Sequence, residues 1–312
     1  MAHPEPATPE CSIVVPVFNE ADNLRRLYAE ICEVMEKTNP SFECIFVDDG
    51  STDGSYDLLK ALHAQDSRVR VIRFARNFGQ TPALYAGFAH ARGQILIMLD
   101  ADLQNPPTEI PKLLAKIQEG YDAVHGYRAQ RQDNFLRRML SSAVRFVIQR
   151  AMDLPFSDLG TGLRAYKRNV VQQLFLSKQP SRYFAAEIAW LGVRVCEIPV
   201  EHRPREAGES KYSLFRLLRA YFDLITTLSS APVYIVGVTG AVLSFIGFAM
   251  AVRIAVLRIF WGHFSDMATV SALFFLLSGF QLMAVGLMAI YVSRIYERVQ
   301  QRPFYIIDEI LE

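Results

Sequence analysis

The sequence predicts an α/β domain built on a mostly parallel sheet, followed by a hairpin of two membrane-spanning helices. Three observations carry this reading. Short apolar runs alternate with helix-periodic segments from residue 11 to about residue 128. Acidic and polar strings follow three of those runs, where strands should end. Two long uncharged apolar runs lie near the C-terminus. The boundaries fall at 1–229 for the α/β part and 230–312 for the membrane part with its tail.

Cys11–Val17 (CSIVVPV) reads as a buried strand, and Leu24, Leu27, Tyr28, Ile31 and Met35 follow at helical spacing. Cys44–Val47, Val69–Phe74 and Ile95–Leu99 read as three further strands. Thr81-Pro82 opens one of the intervening helices, where proline fits the first turn. The alternation of helices with apolar strands indicates a parallel sheet covered on both faces.

Two basic amphipathic stretches come next, at about 135–151 and 212–228. In the first region Arg128, Arg131, Arg137, Arg138, Arg145 and Arg150 stand against one acid, Asp133, with large apolar residues between them. That pattern fits a helix lying in a membrane interface. The spans themselves fall at about 231–253 and 268–293. At about 1.5 Å per residue, each is long enough for a hydrocarbon core of roughly 30 Å.

The short linker between the spans makes them antiparallel, so both large flanks lie on one side. Lys211, Arg216 and Arg219 before the hairpin and Arg294, Arg298 and Arg302 after it place those flanks inside. Arg253 and Arg258 run against the rule and are expected to snorkel or to line a polar groove. The opening MAHPEPATPEC has no apolar stretch behind a basic one, as a secretory signal would. The expected location is therefore the inner (cytoplasmic) membrane, with the α/β domain and both termini cytosolic.

Composition excludes other classes. The 33 Lys+Arg against 32 Asp+Glu argue against a nucleic-acid binder, which carries a basic excess. Cysteines 11, 32, 44 and 196 form no C-x-x-C pair, so a zinc ribbon or redox motif is excluded and reduced, buried thiols are expected.

The chemistry lies at the strand ends. After the first strand comes PVFNE, after the second DDGSTD, and after the fourth Asp100-Ala101-Asp102-Leu103-Gln104. Ligands of open parallel sheets bind outside the carboxyl ends of the strands. Neither G-x-G-x-x-G nor G-x-x-x-x-G-K-[ST] is present. Carboxylates repel phosphates unless a cation intervenes. Asp100-x-Asp102 can direct two carboxylates to one Mg²⁺ or Mn²⁺ and leave positions open for diphosphate oxygens, with Gln104 as a neutral oxygen. Further along, Gly160 and Gly162 flank Thr161 in a turn that implies close backbone approach to a ligand. Asp158 precedes that turn. Arg205 and Lys211, in REAGESKY, offer cations to a phosphate beside the membrane.

PVFNE, VDDGSTDGS and LDADLQNPP, in that order and spacing, resemble the GT-A (Rossmann-like) fold of family 2 glycosyltransferases. The string R-x-x-G-x-S-K-Y and the paired spans resemble the members that act on polyprenyl phosphates. The resemblance implies a UDP-sugar donor and an undecaprenyl or other polyprenyl phosphate acceptor. It implies a nucleoside pocket from Pro16, Phe18, Glu20 and Asp48, with Asp100 and Asp102 at the sugar-nucleotide and its metal. By the same resemblance Arg128, Arg137 or Arg138, and Ser141 or Ser142 cradle the lipid phosphate, with Arg205 and Lys211 closing over it. Asp158 and, more weakly, Glu187 face the reaction centre, and the chain assembles as a homo-oligomer, a tetramer. The sugar stays open between 4-deoxy-4-formamido-L-arabinose and a hexose such as glucose. Two other classes compete. A processive polysaccharide synthase usually carries more spans and Q-x-x-R-W, and neither is present. A non-catalytic membrane scaffold would have no need of intact Asp100, Asp102, Gln104 and Lys211.

Overall fold

In the computed structural model, residues 8–38, 40–128, 161–176, 184–203, 267–299 and 303–312 are described, with scattered helical positions between 236 and 260. The chain divides into two units, Met1–Lys211 with Pro303–Glu312, and Tyr212–Arg302.

The first unit begins as the apolar runs dictate. Strands β1 (Cys11–Val17), β2 (Phe42–Asp48) and β3 (Val69–Phe74) pair in parallel, and β4 (Ile95–Met98) pairs in parallel with the other side of β1. Helices α1 (Ala21–Thr38), α2 (Ser55–Gln65) and α3 (Gln80–His90) are the crossovers. A turn of 3₁₀ helix leads into α4 (Ile110–Gln118). Then come β5 (Ala123–Arg128), β6 (Arg164–Lys167), α5 (Arg168–Leu176), α6 (Phe184–Trp190), β7 (Val195–Val200) and the C-terminal β8 (Ile307–Leu311). The sheet order is β7-β5-β6-β4-β1-β2-β3-β8. β5 and β7 are parallel, while β6 runs antiparallel to both β4 and β5 and β8 runs antiparallel to β3.

Strand periodicity divides the core in two. Ile13, Val15 and Val17 of β1 with Cys44 and Phe46 of β2 point to the face covered by α1, α2 and α4. Val14, Ile45 and Val47 point to the other face, under α3, α5 and α6. On α1 the spaced residues Leu24, Leu27 and Ile31 are fully buried, each contributing about 1.5–3 kcal/mol of apolar burial. The four cysteines are free, and burial pushes the Cys11 thiol up to about 12, which makes it inert.

The chain runs β1 to β2 to β3 in one direction and then returns to β4 on the far side of β1. The carboxyl ends of β1 and β4 therefore flank the topological switch point, where a crevice opens. The β8 strand was not among the elements expected from sequence. It completes the sheet edge beyond β3.

In the second unit, α7 (Met267–Val299) contains Leu277–Tyr296, which is long and apolar enough to cross a membrane, with mean hydropathy 1.3. It is the one such helix among the described residues. The first expected span falls largely outside them. The stretches at 135–151 and 212–228, with Arg137, Arg138, Ser141, Ser142, Asp158, Arg205 and Lys211, also lie outside the described residues.

Candidate active site

The loops that follow β1 and β2 are stitched together beside the switch point. Asn19 sits just past β1 with φ +56°, a left-handed backbone that asparagine tolerates. Its Oδ1 accepts from the Thr52 amide at 2.8 Å, and its own amide donates to Ser51 Oγ at 3.0 Å. The Glu20 amide donates to Ser55 Oγ and the Ala21 amide to Asp53 Oδ2, each at 3.0 Å. The PVFNE and DDGSTD strings thus act as one rigid double turn. Phe18 is 46% exposed here, an open aromatic face beside the crevice.

Asp48, the last residue of β2, is fully buried. Its Oδ1 accepts from the Ser51 amide at 3.3 Å, while its buried Oδ2 has no hydrogen-bond partner among the described residues. Burial raises its carboxyl above the usual range. A buried carboxylate oxygen without a donor costs about 1–3 kcal/mol. A ligand hydroxyl or amide reaching it would recover that cost.

Asp49 faces elsewhere. Its two oxygens accept from the Phe78 amide at 2.6 Å and the Gly79 amide at 2.8 Å, on the loop between β3 and α3. Next to it, Gly50 has φ +71°, and a Cβ there would lie 2.7 Å from the Arg76 carbonyl carbon. Glycine is required both for the backbone angle and for this approach.

Asp100 and Asp102 follow β4 directly. Burial, with Asp102 beside it, pushes the Asp100 carboxyl up to about 6. Two side-chain amides answer the pair. Gln80 Nε2 donates to Asp100 Oδ1 at 2.6 Å, and Gln104 Nε2 donates to Asp102 Oδ2 at 2.6 Å. The Gln104 amide N–H also reaches Asp102 Oδ1 at 3.1 Å, closing an Asx turn over Leu103, whose φ is +59°. In this arrangement Gln104 serves Asp102 through nitrogen, and an oxygen-ligand role requires its amide to turn over. A Cβ at Gly162 would fall inside the Asp100 carboxylate. The sequence pattern points to a close approach of this Gly160-Thr161-Gly162 turn to a ligand; at Gly162 the close approach is to the Asp100 carboxylate instead. Arg164, paired across the sheet with Met98, adds a positive charge that favours the ionised form of Asp100.

Among the described residues no three acid, histidine or cysteine side chains gather as a ready metal cage. Two neighbouring carboxylates, one of them raised by burial and by the charge of the other, still suit a hard divalent cation that takes its remaining ligands from diphosphate and water. Pro16 and Asp48 lie near the carboxyl ends of β1 and β2, and Phe18, Glu20, Asp100, Asp102 and Gln104 lie in the segments that follow β1 and β4, all at one edge of the sheet. Arg128 ends β5, on the far side of β6 from β4. His125 is fully buried, and burial holds its imidazole neutral, well below the usual range. Glu187 of α6 accepts from the Tyr85 hydroxyl. The sequence reading missed Gln80, and RNFGQ carries no local signal that its last residue points at Asp100.

The model of the family described as "Glycosyl transferase family 2" matches residues 12–175, more than half of the chain. The chain belongs to glycosyl transferase family 2. Its first unit is the α/β GT-A fold of that family, with a mostly parallel sheet, and the protein is a glycosyltransferase. Among solved structures it is similar to glucosyl-3-phosphoglycerate synthase from Mycobacterium tuberculosis in complex with Mn²⁺, UDP-glucose and phosphoglyceric acid. Identity is 19%, covering 71% of this chain and 79% of that one, with a TM-score of 0.52. The same synthase with Mn²⁺ and UDP-glucose matches at 20% identity, 71% and 78% coverage and a TM-score of 0.50. At these identities the likeness is one of fold.

Proposed function

We propose that this family 2 glycosyltransferase moves a sugar from a UDP-sugar to a polyprenyl phosphate at the cytosolic face of the inner membrane. The observation that carries the donor half is the Asp100–Asp102 pair at the switch point, each acid capped by a glutamine amide. Asp102 and Asp100, with Gln104 if its amide turns, would hold Mn²⁺ or Mg²⁺, as befits a fold whose solved relatives carry Mn²⁺ with UDP-glucose. When bound, the ion offsets negative charge on the departing diphosphate. Pro16, Phe18 and Glu20 border the nucleoside, and the partnerless oxygen of Asp48 awaits one of its donors.

The acceptor half rests on connectivity. β8 pairs with β3 in the same sheet as the site, so the chain leaves and re-enters this unit on one side of any membrane. The number of crossings between them must be even. One described helix is long enough to cross, and the uncharged run at 231–252 supplies the second. Arg203, two residues before Arg205, donates its backbone N–H to the Gln104 carbonyl at 2.8 Å, and its guanidinium grips Glu30 at 3.0 Å. Arg203, the last described residue before the REAGESKY string, is thereby held beside the acidic loop.

A phosphate oxygen of the acceptor is already anionic, so it attacks the anomeric carbon without a general base. The bond to UDP breaks as the new one forms, and the configuration inverts. Arg205 and Lys211, with Arg128, Arg137 or Arg138, and Ser141 or Ser142, offset the repulsion between anionic acceptor and anionic donor. Asp158 steers sugar or acceptor. The sugar is 4-deoxy-4-formamido-L-arabinose for lipid A modification, or a hexose such as glucose, and the working assembly is a homo-oligomer.

The test incubates membranes bearing the chain with labelled UDP-sugars, polyprenyl phosphate and Mn²⁺ or Mg²⁺. A single chloroform-soluble, chelator-sensitive product is expected, and the sugar panel names the donor. Polymer would indicate a processive synthase. Label found only on added phosphoglycerate would remove the lipid acceptor.

A further inference from the structure

We propose that the C-terminal segment Phe304–Glu312 is a positioning element of the donor site, acting through Tyr305 on the β3–α3 loop that carries Gln80 to Asp100. This rests on the donor-site reading above. It adds a segment that lies outside the family match and, in sequence, on the other side of the apolar helix.

The loop at 75–79 has two anchors. One is Asp49, through the Phe78 and Gly79 amides. The other is the C-terminal segment. The Ala75 amide donates to the Ile306 carbonyl at 3.1 Å. The Tyr305 ring stacks on Phe74 at 5.2 Å with the planes 8° apart, and Phe74 in turn meets Phe78 edge-on at 5.7 Å. Phe304 packs edge-on against Tyr85 of α3 at 5.4 Å. Both walls of the loop are therefore set before it reaches Gln80, the first residue of α3. A shift of about 1 Å there would lengthen the 2.6 Å contact to Asp100 beyond hydrogen-bond range. The far end of the segment is fastened separately. Glu312 pairs with Arg92 at 3.2 Å and with Arg70, whose buried guanidinium also holds Glu43 at 3.0 Å. One segment thus carries a fastening at Glu312 and a positioning contact at Tyr305, and the two are separable by mutation.

The experiment uses the full chain in detergent and measures UDP affinity in the presence of Mn²⁺, beside thermal melting. Tyr305→Leu keeps an apolar, though smaller, side chain and loses the stack. It should weaken UDP binding about three- to tenfold, the range an aromatic pair commands, while Tyr305→Phe stays near wild type. Gln80→Ala should weaken binding similarly, and the double variant should be no weaker than Gln80→Ala alone, because both act on one contact. Glu312→Gln should lower the melting temperature and leave UDP affinity unchanged. Unaltered affinity in Tyr305→Leu, losses that multiply in the double variant, or affinity that tracks melting temperature across the set would overturn the proposal. Wild-type protein that binds UDP equally well without Mn²⁺ would overturn the donor-site reading, and this inference with it.

Discussion

Gly162→Ala is the substitution that isolates the acidic pair. Gly162 has an ordinary backbone angle, so alanine adds no backbone strain. Its methyl would, however, occupy the place of the Asp100 carboxylate. The backbone of Gly162 precedes β6, which is hydrogen-bonded to β4 and β5, so the sheet cannot yield easily. Asp100 must rotate instead. It then gives up the Gln80 contact at 2.6 Å, a charge-assisted bond worth about 1.5–3 kcal/mol. Displacing a ligand-bearing group by about 1 Å commonly costs roughly 100-fold in rate. We expect Mn²⁺-dependent turnover of the UDP-sugar to fall about 100-fold. Overpacking should cost only about 1–3 kcal/mol of stability. The assay is release of UDP from donor in the presence of polyprenyl phosphate, with melting curves run in parallel. In an Asp100→Ala background the same glycine change should cost nothing further, since the obstructed carboxylate is gone. Gly162→Ala protein that turns over within threefold of wild type would refute the argument.

Three further outcomes follow from the same geometry. Asp48→Asn keeps the shape but weakens its hold on a donor group, and should reduce UDP affinity about tenfold by titration calorimetry, since a hydrogen bond to a charged group is worth about 1.5–3 kcal/mol and one between neutral groups about 0.5–1.5 kcal/mol. Asp100 has its folded-state carboxyl raised to about 6, so the native metal-free protein binds a proton there that the unfolded chain has released. The contribution of this group to stability therefore falls as pH rises from about 4 to about 6, and a cation that replaces the proton should help most above that window. The rise in melting temperature on adding Mn²⁺ should be larger at pH 7 than at pH 5, and equal rises would count against Asp100 as a ligand. Arg205→Ala or Lys211→Ala should cut transfer to polyprenyl phosphate strongly while UDP binding stays within about twofold, and unchanged transfer would remove the phosphate clamp.

What the sequence disclosed follows from how each strand is buried. β1, the centre of β2 and β4 are covered on both faces and so read as apolar runs, while Arg70 and Arg73 interrupt β3; the acidic strings stand out because they follow these runs. β6 was illegible because its four residues, Arg-Ala-Tyr-Lys, pair antiparallel to two neighbours and carry two charges. β8, with the sequence Ile-Asp-Glu-Ile-Leu, sits on the sheet edge, where exposed acids hide its pattern. At the site, Asp100, Asp102 and Asp48 could be found because their types and spacing declare chemistry. Gln80 could not, since its meaning lies in a loop that only tertiary packing brings to Asp100. The glycines of GTG announced a close approach, but the backbone at Gly162 makes it to a neighbouring carboxylate of the protein itself.

The place of β8 in the sheet has a consequence for how the protein is made. Synthesis runs from the N-terminus, so β3 leaves the ribosome with one margin bare and keeps it bare until residues 307–311 emerge. By then the apolar helix has already been delivered to whatever environment receives it. The nascent enzyme therefore passes through an interval with an open, sticky strand and an unfinished sheet, which closes only after the apolar helix has left the ribosome.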